Sequence, residues 1–124
     1  MKDYKVVITD SIKPLTGKEK VMLKDFSNAK SIDEVTTNGS LVIDVANVVV
    51  CDVHNPASDN KDYKKYVIVD KTGNKFVTGS ESCFTTLVDI LKEMEGEEED
   101  FSVEFYKKES KNYKGKHFIT CSIV

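Results

Sequence analysis

The sequence contains no arginine: its 18 basic residues are all lysines, set against 21 acidic ones for a net charge of −3. Lysine carries a point charge on a flexible stem, well suited to phosphate and poor at the bidentate recognition of guanine. Sequence-specific reading of a major groove is therefore not expected. No apolar run approaches the roughly 18 residues that span a bilayer, so no membrane partner is expected. Met1-Lys2-Asp3-Tyr4 holds no hydrophobic signal core ahead of the short Val6-Val7-Ile8 run, and a cytoplasmic location is expected. Cysteine is scarce: Cys51, Cys83 and Cys121 are odd in number and far apart, which argues against a disulfide framework and suits a reducing compartment. Cys51 with His54, and His117 with Cys121, formally offer four zinc ligands. On a strand, however, Cys51 and His54 point to opposite faces, and no CxxC knuckle exists, so buried small hydrophobes are the better reading and no metal or other cofactor is expected. Catalytic signatures are also missing: there is no HExxH, GxSxG, Walker phosphate loop or Rossmann glycine set. The two histidines sit in separate segments, and no carboxylate is isolated in an apolar run as a raised pKa would require. A non-enzymatic protein is expected.

What is present is the length and composition of one soluble globular domain, 124 residues with 40% hydrophobic and 31% charged. Residues 1–39 read as an N-terminal strand and helical extension. Thr16-Gly-Lys-Glu19 fits a capping box that opens a helix with Val21, Met22, Leu23 and Phe26 as its apolar face. Ser31-Ile-Asp-Glu34 is a second, shorter box, and Asn38-Gly39 a turn. From Leu41 the texture is that of strands. The valine-rich run Leu41 to Val53 is long enough to bend. Tyr63 to Asp70 and Lys75 to Thr78 flank a hairpin turn at Lys71-Thr-Gly-Asn74. Ser80 or Ser82 then caps a helix with Phe84, Leu87, Val88, Leu91 and Met94 at helical spacing, ended by Gly96. Phe101 to Lys107 and Phe118 to Val124 alternate as half-buried strands, with Ile119, Cys121 and Ile123 inward and Tyr106, Phe118, Thr120 and Ser122 outward. Three strands, a helix and two strands predict a mainly β protein with helices (α+β). Residues 40–124 would form a five-stranded OB-like Greek-key barrel whose helix joins strands 3 and 4, with the extension packed outside. Order alone does not fix pairing, so another α+β sheet topology stays open.

The charge is polarised along the chain. Residues 89–100 carry −6, densest from Glu97 to Asp100, whereas residues 101–124 carry +3. Holding a single strand without reading it needs a cationic groove for the backbone and flat side chains on which bases stack. The stretch from Tyr106 to Phe118 has both: Lys107, Lys108, Lys111, Lys114 and Lys116 interleave with Tyr106, Tyr113, His117 and Phe118. Tyr63, Lys64, Lys65 and Tyr66 repeat the texture on the second strand, which in such a barrel lies on the binding face. A lysine-rich hairpin that merely keeps a sheet edge solvated has the same composition. Thr78-Gly-Ser-Glu-Ser82 at a helix start reads as a cap before it reads as an anion site.

Three segments also carry a resemblance. Lys75-Phe-Val-Thr-Gly-Ser80 with the following helix, Phe101 to Tyr106, and Ser110-Lys-Asn-Tyr-Lys-Gly-Lys-His-Phe-Ile-Thr-Cys121 together resemble the single-stranded DNA-binding proteins of bacteriophages. The likeness covers residues 41–124 and is tightest over the closing strand. It implies an OB fold, coating of single-stranded DNA during phage replication, replication proteins as partners, and Lys111, Lys114, Gly115, Lys116 and Phe118 as closing-hairpin positions. Lys116 stands where arginine is common in that family, keeping the charge without a stacking guanidinium. The acidic tail of bacterial cellular single-strand binders has no counterpart in the hydrophobic Ser122-Ile-Val124, so recruitment through such a tail is not expected. RNA is an alternative ligand, because stacking platforms accept both sugars. The alternative function is an interaction protein that acts on a host factor through the acidic run.

Overall fold

The computed structural model describes residues 5–37, 39–57, 62–97, 101–109 and 117–124. Along the chain run β1 (Lys5–Ser11), α1 (Gly17–Lys24), β2 (Lys30–Ser31), α2 (Ile32–Val35), β3 (Leu41–Ile43), β4 (Val45–His54), β5 (Asp62–Asp70), β6 (Lys75–Thr78), α3 (Glu81–Glu93), β7 (Val103–Glu109) and β8 (His117–Ile123). They form a five-stranded sheet in the order β1-β4-β5-β6-β2 and a three-stranded sheet in the order β3-β7-β8. All pairs are antiparallel except β2 with β6.

The β-branched run from Leu41 to His54 serves both sheets. β3 pairs with β7, Leu41 opposite Phe105 and Ile43 opposite Val103; past Asp44 the chain continues as β4 between β1 and β5. Asp44 is held at this crossing, its carboxylate accepting the Ser102 hydroxyl and its carbonyl accepting the Lys71 N–H at 3.0 Å. A register shift between Val45 and Asn47 follows. There Asn47 Oδ1 accepts the N–H groups of Lys13 (3.0 Å) and Val48 (2.9 Å), tying the end of β1 to the bulge.

Among the described residues no sheet closes on itself, so the expected five-stranded OB-like barrel is not the fold. The reason lies in pairing. The edge of β6 that closure would use is taken by β2, with Lys30 opposite Phe76 and Ser31 opposite Val77, while α3 lies against β8. The N-terminal segment, expected outside a barrel, supplies both edges of the larger sheet.

The uninterrupted apolar run Val48–Cys51 suits a strand buried on both faces. On one face, Val48, Ile68 and Phe76 meet Cys83 and Leu87 of α3 and Ile43, Val103, Phe105, Ile119 and Cys121 of the smaller sheet. On the other, Val49, Cys51, Val67 and Val77 meet Leu23, with Val6, Ile8, Leu15 and Phe26 around them. The Thr16–Glu19 capping box forms as expected. The apolar face of α1 is narrower than expected, since Leu23 is buried while Val21 and Met22 are 71% and 54% exposed. Lys75 Nζ fixes that orientation by donating to the carbonyls of Met22 (2.9 Å) and Asp25 (2.7 Å) at the end of the helix. Ser80 caps α3 by accepting the Cys83 N–H at 3.2 Å, and Gly96 follows it at a φ of +83°. No helix among the described residues is long and apolar enough to cross a membrane.

The β5–β6 turn is built on Asp70. Its carboxylate accepts the Thr72 N–H (2.9 Å) and hydroxyl (2.9 Å), the Asn74 N–H (2.8 Å) and the Asn74 side-chain amide (3.0 Å), while Gly73 reverses the chain at a φ of +95°. Burial acts to raise this carboxyl, but the hydrogen bonds from Asn74 and Thr72 outweigh it and hold it below 3.8. A depressed folded-state pKa means that the turn's stabilisation is complete above the ordinary carboxylate range and is lost as pH falls through the lowered value. Asp70→Ala is expected to reduce the unfolding free energy by about 1–2 kcal/mol in urea at neutral pH and to soften acid unfolding below about pH 4. An unchanged urea midpoint would contradict this account of the turn.

Candidate functional site

The smaller sheet buries one face and leaves the other open. Val103 and Phe105 are 0% exposed, and Ile119 and Cys121 are 5% and 4% exposed, all on the inner face. Successive side chains on a strand alternate, so the opposite face carries Val42, Glu104 and Ser122 in one cross-strand row, Tyr106 and Thr120 in the next, and Lys108 and Phe118 in the third. Phe118 is 40% exposed directly opposite Lys108. Tyr106 is half-buried, and its hydroxyl lies 2.8 Å from Ser122 Oγ. Ser122 is two residues beyond Thr120, the direct partner of Tyr106. Glu104, the acid on this face, accepts the Ser40 hydroxyl at 2.9 Å. The arrangement places two aromatic side chains, Tyr106 and Phe118, on one face of the hairpin strands, with Lys108 directly opposite Phe118. Chemically it can stack planar rings and hold an anion.

The remaining expected residues are dispersed. Lys107 falls on the inner-face side of β7, with its Nζ 3.4 Å from Thr37 Oγ1. Lys111, Tyr113, Lys114 and Lys116 lie outside the described residues, as do Glu98, Glu99 and Asp100 of the acidic run. On β5 the four expected residues split between the two faces. Tyr63 and Lys65 share one face, the Lys65 ammonium 6.0 Å from the Tyr63 ring centre. Lys64 lies on the other, bonded to Asp52 at 2.9 Å with both partners half-exposed. That hydrogen bond and the carboxylate charge raise the Lys64 pKa, so its ammonium is already partnered. Tyr66 is corrected outright. It is 4% exposed, and its ring stacks on Phe84 with centroids 4.3 Å apart and planes 14° apart. Burial, with the Glu81 charge adding, pushes its phenol up. A ring stacked inside the protein offers no face to a base. β5 runs from an exposed end at Asp62 under α3, and the repeating tyrosine–lysine texture does not mark where cover begins.

The formal zinc set is scattered as well: Cys51 belongs to the core beneath the N-terminal segment and Cys121 to the other core, while His54 Nδ1 sits 2.7 Å from Asp62. Ser80, in the helix-start stretch, is occupied as a cap. Val42, 54% exposed on the open face, carries no signal in the sequence, because Leu41-Val42-Ile43 is apolar throughout and shows no alternation. Ser122 faces outward as expected, and its bond to Tyr106 is additional. No protein-family model, curated protein or solved structure matches the chain.

The contrast between the two aromatics is measurable by urea unfolding. Tyr66→Ala is expected to cost about 3–5 kcal/mol, as large-to-small changes in cores do, and Phe118→Ala about 1 kcal/mol or less. Equal losses would place Phe118 in the interior.

Proposed function

We propose that the chain binds single-stranded DNA without reading its sequence and shields replication intermediates, as do the bacteriophage single-strand binders that its closing strand resembles. The observation that carries this reading is the exposed Phe118 on one face with the half-buried Tyr106, and Lys108 directly opposite Phe118 on the neighbouring strand. An exposed phenylalanine near a tyrosine held by Ser122 is the kind of aromatic surface on which unpaired bases stack. The sequence joining β7 to β8 adds Lys111, Tyr113, Lys114 and Lys116 to the same hairpin, and Lys107 precedes it. Without arginine these residues hold phosphates and do not read bases, so the ligand is recognised by being single-stranded and flexible. Tyr63 with Lys65 forms a second, smaller aromatic–cation pair on the larger sheet. A ligand that occupies the hairpin need not extend there.

The test is an anisotropy titration of labelled single- and double-stranded oligonucleotides at two salt concentrations. The single strand is expected to bind more tightly, with affinity falling about tenfold or more for a fourfold rise in salt if three or more phosphates are neutralised. Phe118→Ala is expected to weaken binding by about 5- to 150-fold, the range of one lost base stack, while Lys20→Ala on the far α1 leaves it within about twofold. Preference for the duplex, or a flat salt response, would overturn the reading.

A further inference from the structure

Cys83 and Cys121 are 38 residues apart in sequence and adjacent in the fold. Cys83 stands in the first turn of α3, and Cys121 on β8, the strand against which α3 lies. The Cys121 thiol donates to the backbone carbonyl oxygen of Cys83 at 3.8 Å. Both belong to the same core, at 0% and 4% exposure. Cys51 is also buried but lies in the other core, with no thiol beside it. The three cysteines are thus a pair and a bystander, a division that their spacing in the sequence does not reveal.

We propose that Cys83 and Cys121 form a reversible dithiol–disulfide site that takes low-molecular-weight disulfides as its oxidant and, when oxidised, staples α3 to β8. The pair is asymmetric in exposure: Cys121 is the less completely buried of the two, at 4% against 0% for Cys83. The Cys121 thiolate attacks one sulfur of the small disulfide, forming a mixed disulfide and expelling one small thiolate, which takes up a proton. Cys83 then gives up its proton and attacks the Cys121 sulfur, forming the internal bond and expelling the second small thiolate. Two protein thiols lose two electrons, one small disulfide gains them, and both protons end on the released thiols. Cys51 stays out of the exchange because it lies in the other core, away from both members of the pair. The site does not depend on the nucleic-acid reading, although β8 also carries Phe118.

The test incubates the full chain in glutathione buffers from fully reduced to disulfide-rich at pH 8, followed by acid quench, alkylation, intact mass and a non-reducing peptide map. The expected product is a monomer lighter by about 2 Da with one alkylatable cysteine, a Cys83–Cys121 cross-linked peptide, and a melting temperature raised by roughly 5–15 °C through closure of the long loop. Cys51→Ala should behave identically, and this arm does not depend on whether the Cys83→Ala or Cys121→Ala chain folds. Three alkylatable thiols after disulfide-rich incubation, a glutathione adduct without the internal bond, or a bridge to Cys51 would overturn the proposal.

Discussion

The fold depends on one constraint, the passage of a single extended run from one sheet into the other at Asp44. Leu41 to Ile43 must satisfy β7, while Val45 to His54 must satisfy β1 and β5 at once. A strand that changes partners leaves backbone groups exposed to loss at the corner, and buried polar groups without partners are costly. Here the corner is served by Asp44, which takes the Ser102 hydroxyl and the Lys71 N–H, and by Asn47, which closes the bulge onto Lys13. With the corner held, Ile43 and Val48 enter the same core from different sheets. The smaller sheet is thereby laid over α3 and the larger sheet with one face inward, and the other face is left open.

Much of the local structure was legible. Capping chemistry located α1 and α3 because Thr16, Glu19 and Ser80 satisfy N–H groups within a few residues of themselves. Strand alternation located the inner and outer faces of β7 and the direction of Phe118, Ile119 and Cys121, since a period of two is a property of the strand alone. Ile123, expected inward, is 46% exposed at the end of β8, where the core has run out. What was not legible was pairing. Lys30 and Ser31 carry no strand signal, yet as β2 they occupy the edge of β6 and leave two open sheets where a barrel was expected. The cover over Tyr66 is likewise a tertiary matter: Phe84 comes from α3, 18 residues later in the sequence, and nothing in the Tyr63–Tyr66 stretch announces it. The proximity of Cys83 and Cys121 belongs to the same class.

Among the described residues the candidate interface is consequently smaller than the list of aromatic and basic residues suggested. Lys64 is partnered, Tyr66 is internal and Lys107 faces away, while Tyr106, Lys108 and Phe118 remain together with Ser122 steadying the tyrosine. Stacking is short-ranged and each base is worth about 1–3 kcal/mol, so a few correctly turned rings outweigh many lysines whose charges salt screens. The aromatic pair therefore decides whether the open face is a binding surface, and the lysines decide how strongly it attracts.

The most direct measurement is an amide chemical-shift titration of the isotopically labelled chain with a short oligothymidine. Saturable shifts are expected to concentrate on Tyr106, Lys108, Phe118, Thr120 and Ser122, with α1 and the Val49–Cys51 segment unmoved. Shifts confined to the larger sheet or to α1, or none at concentrations well above micromolar, would contradict binding at that face.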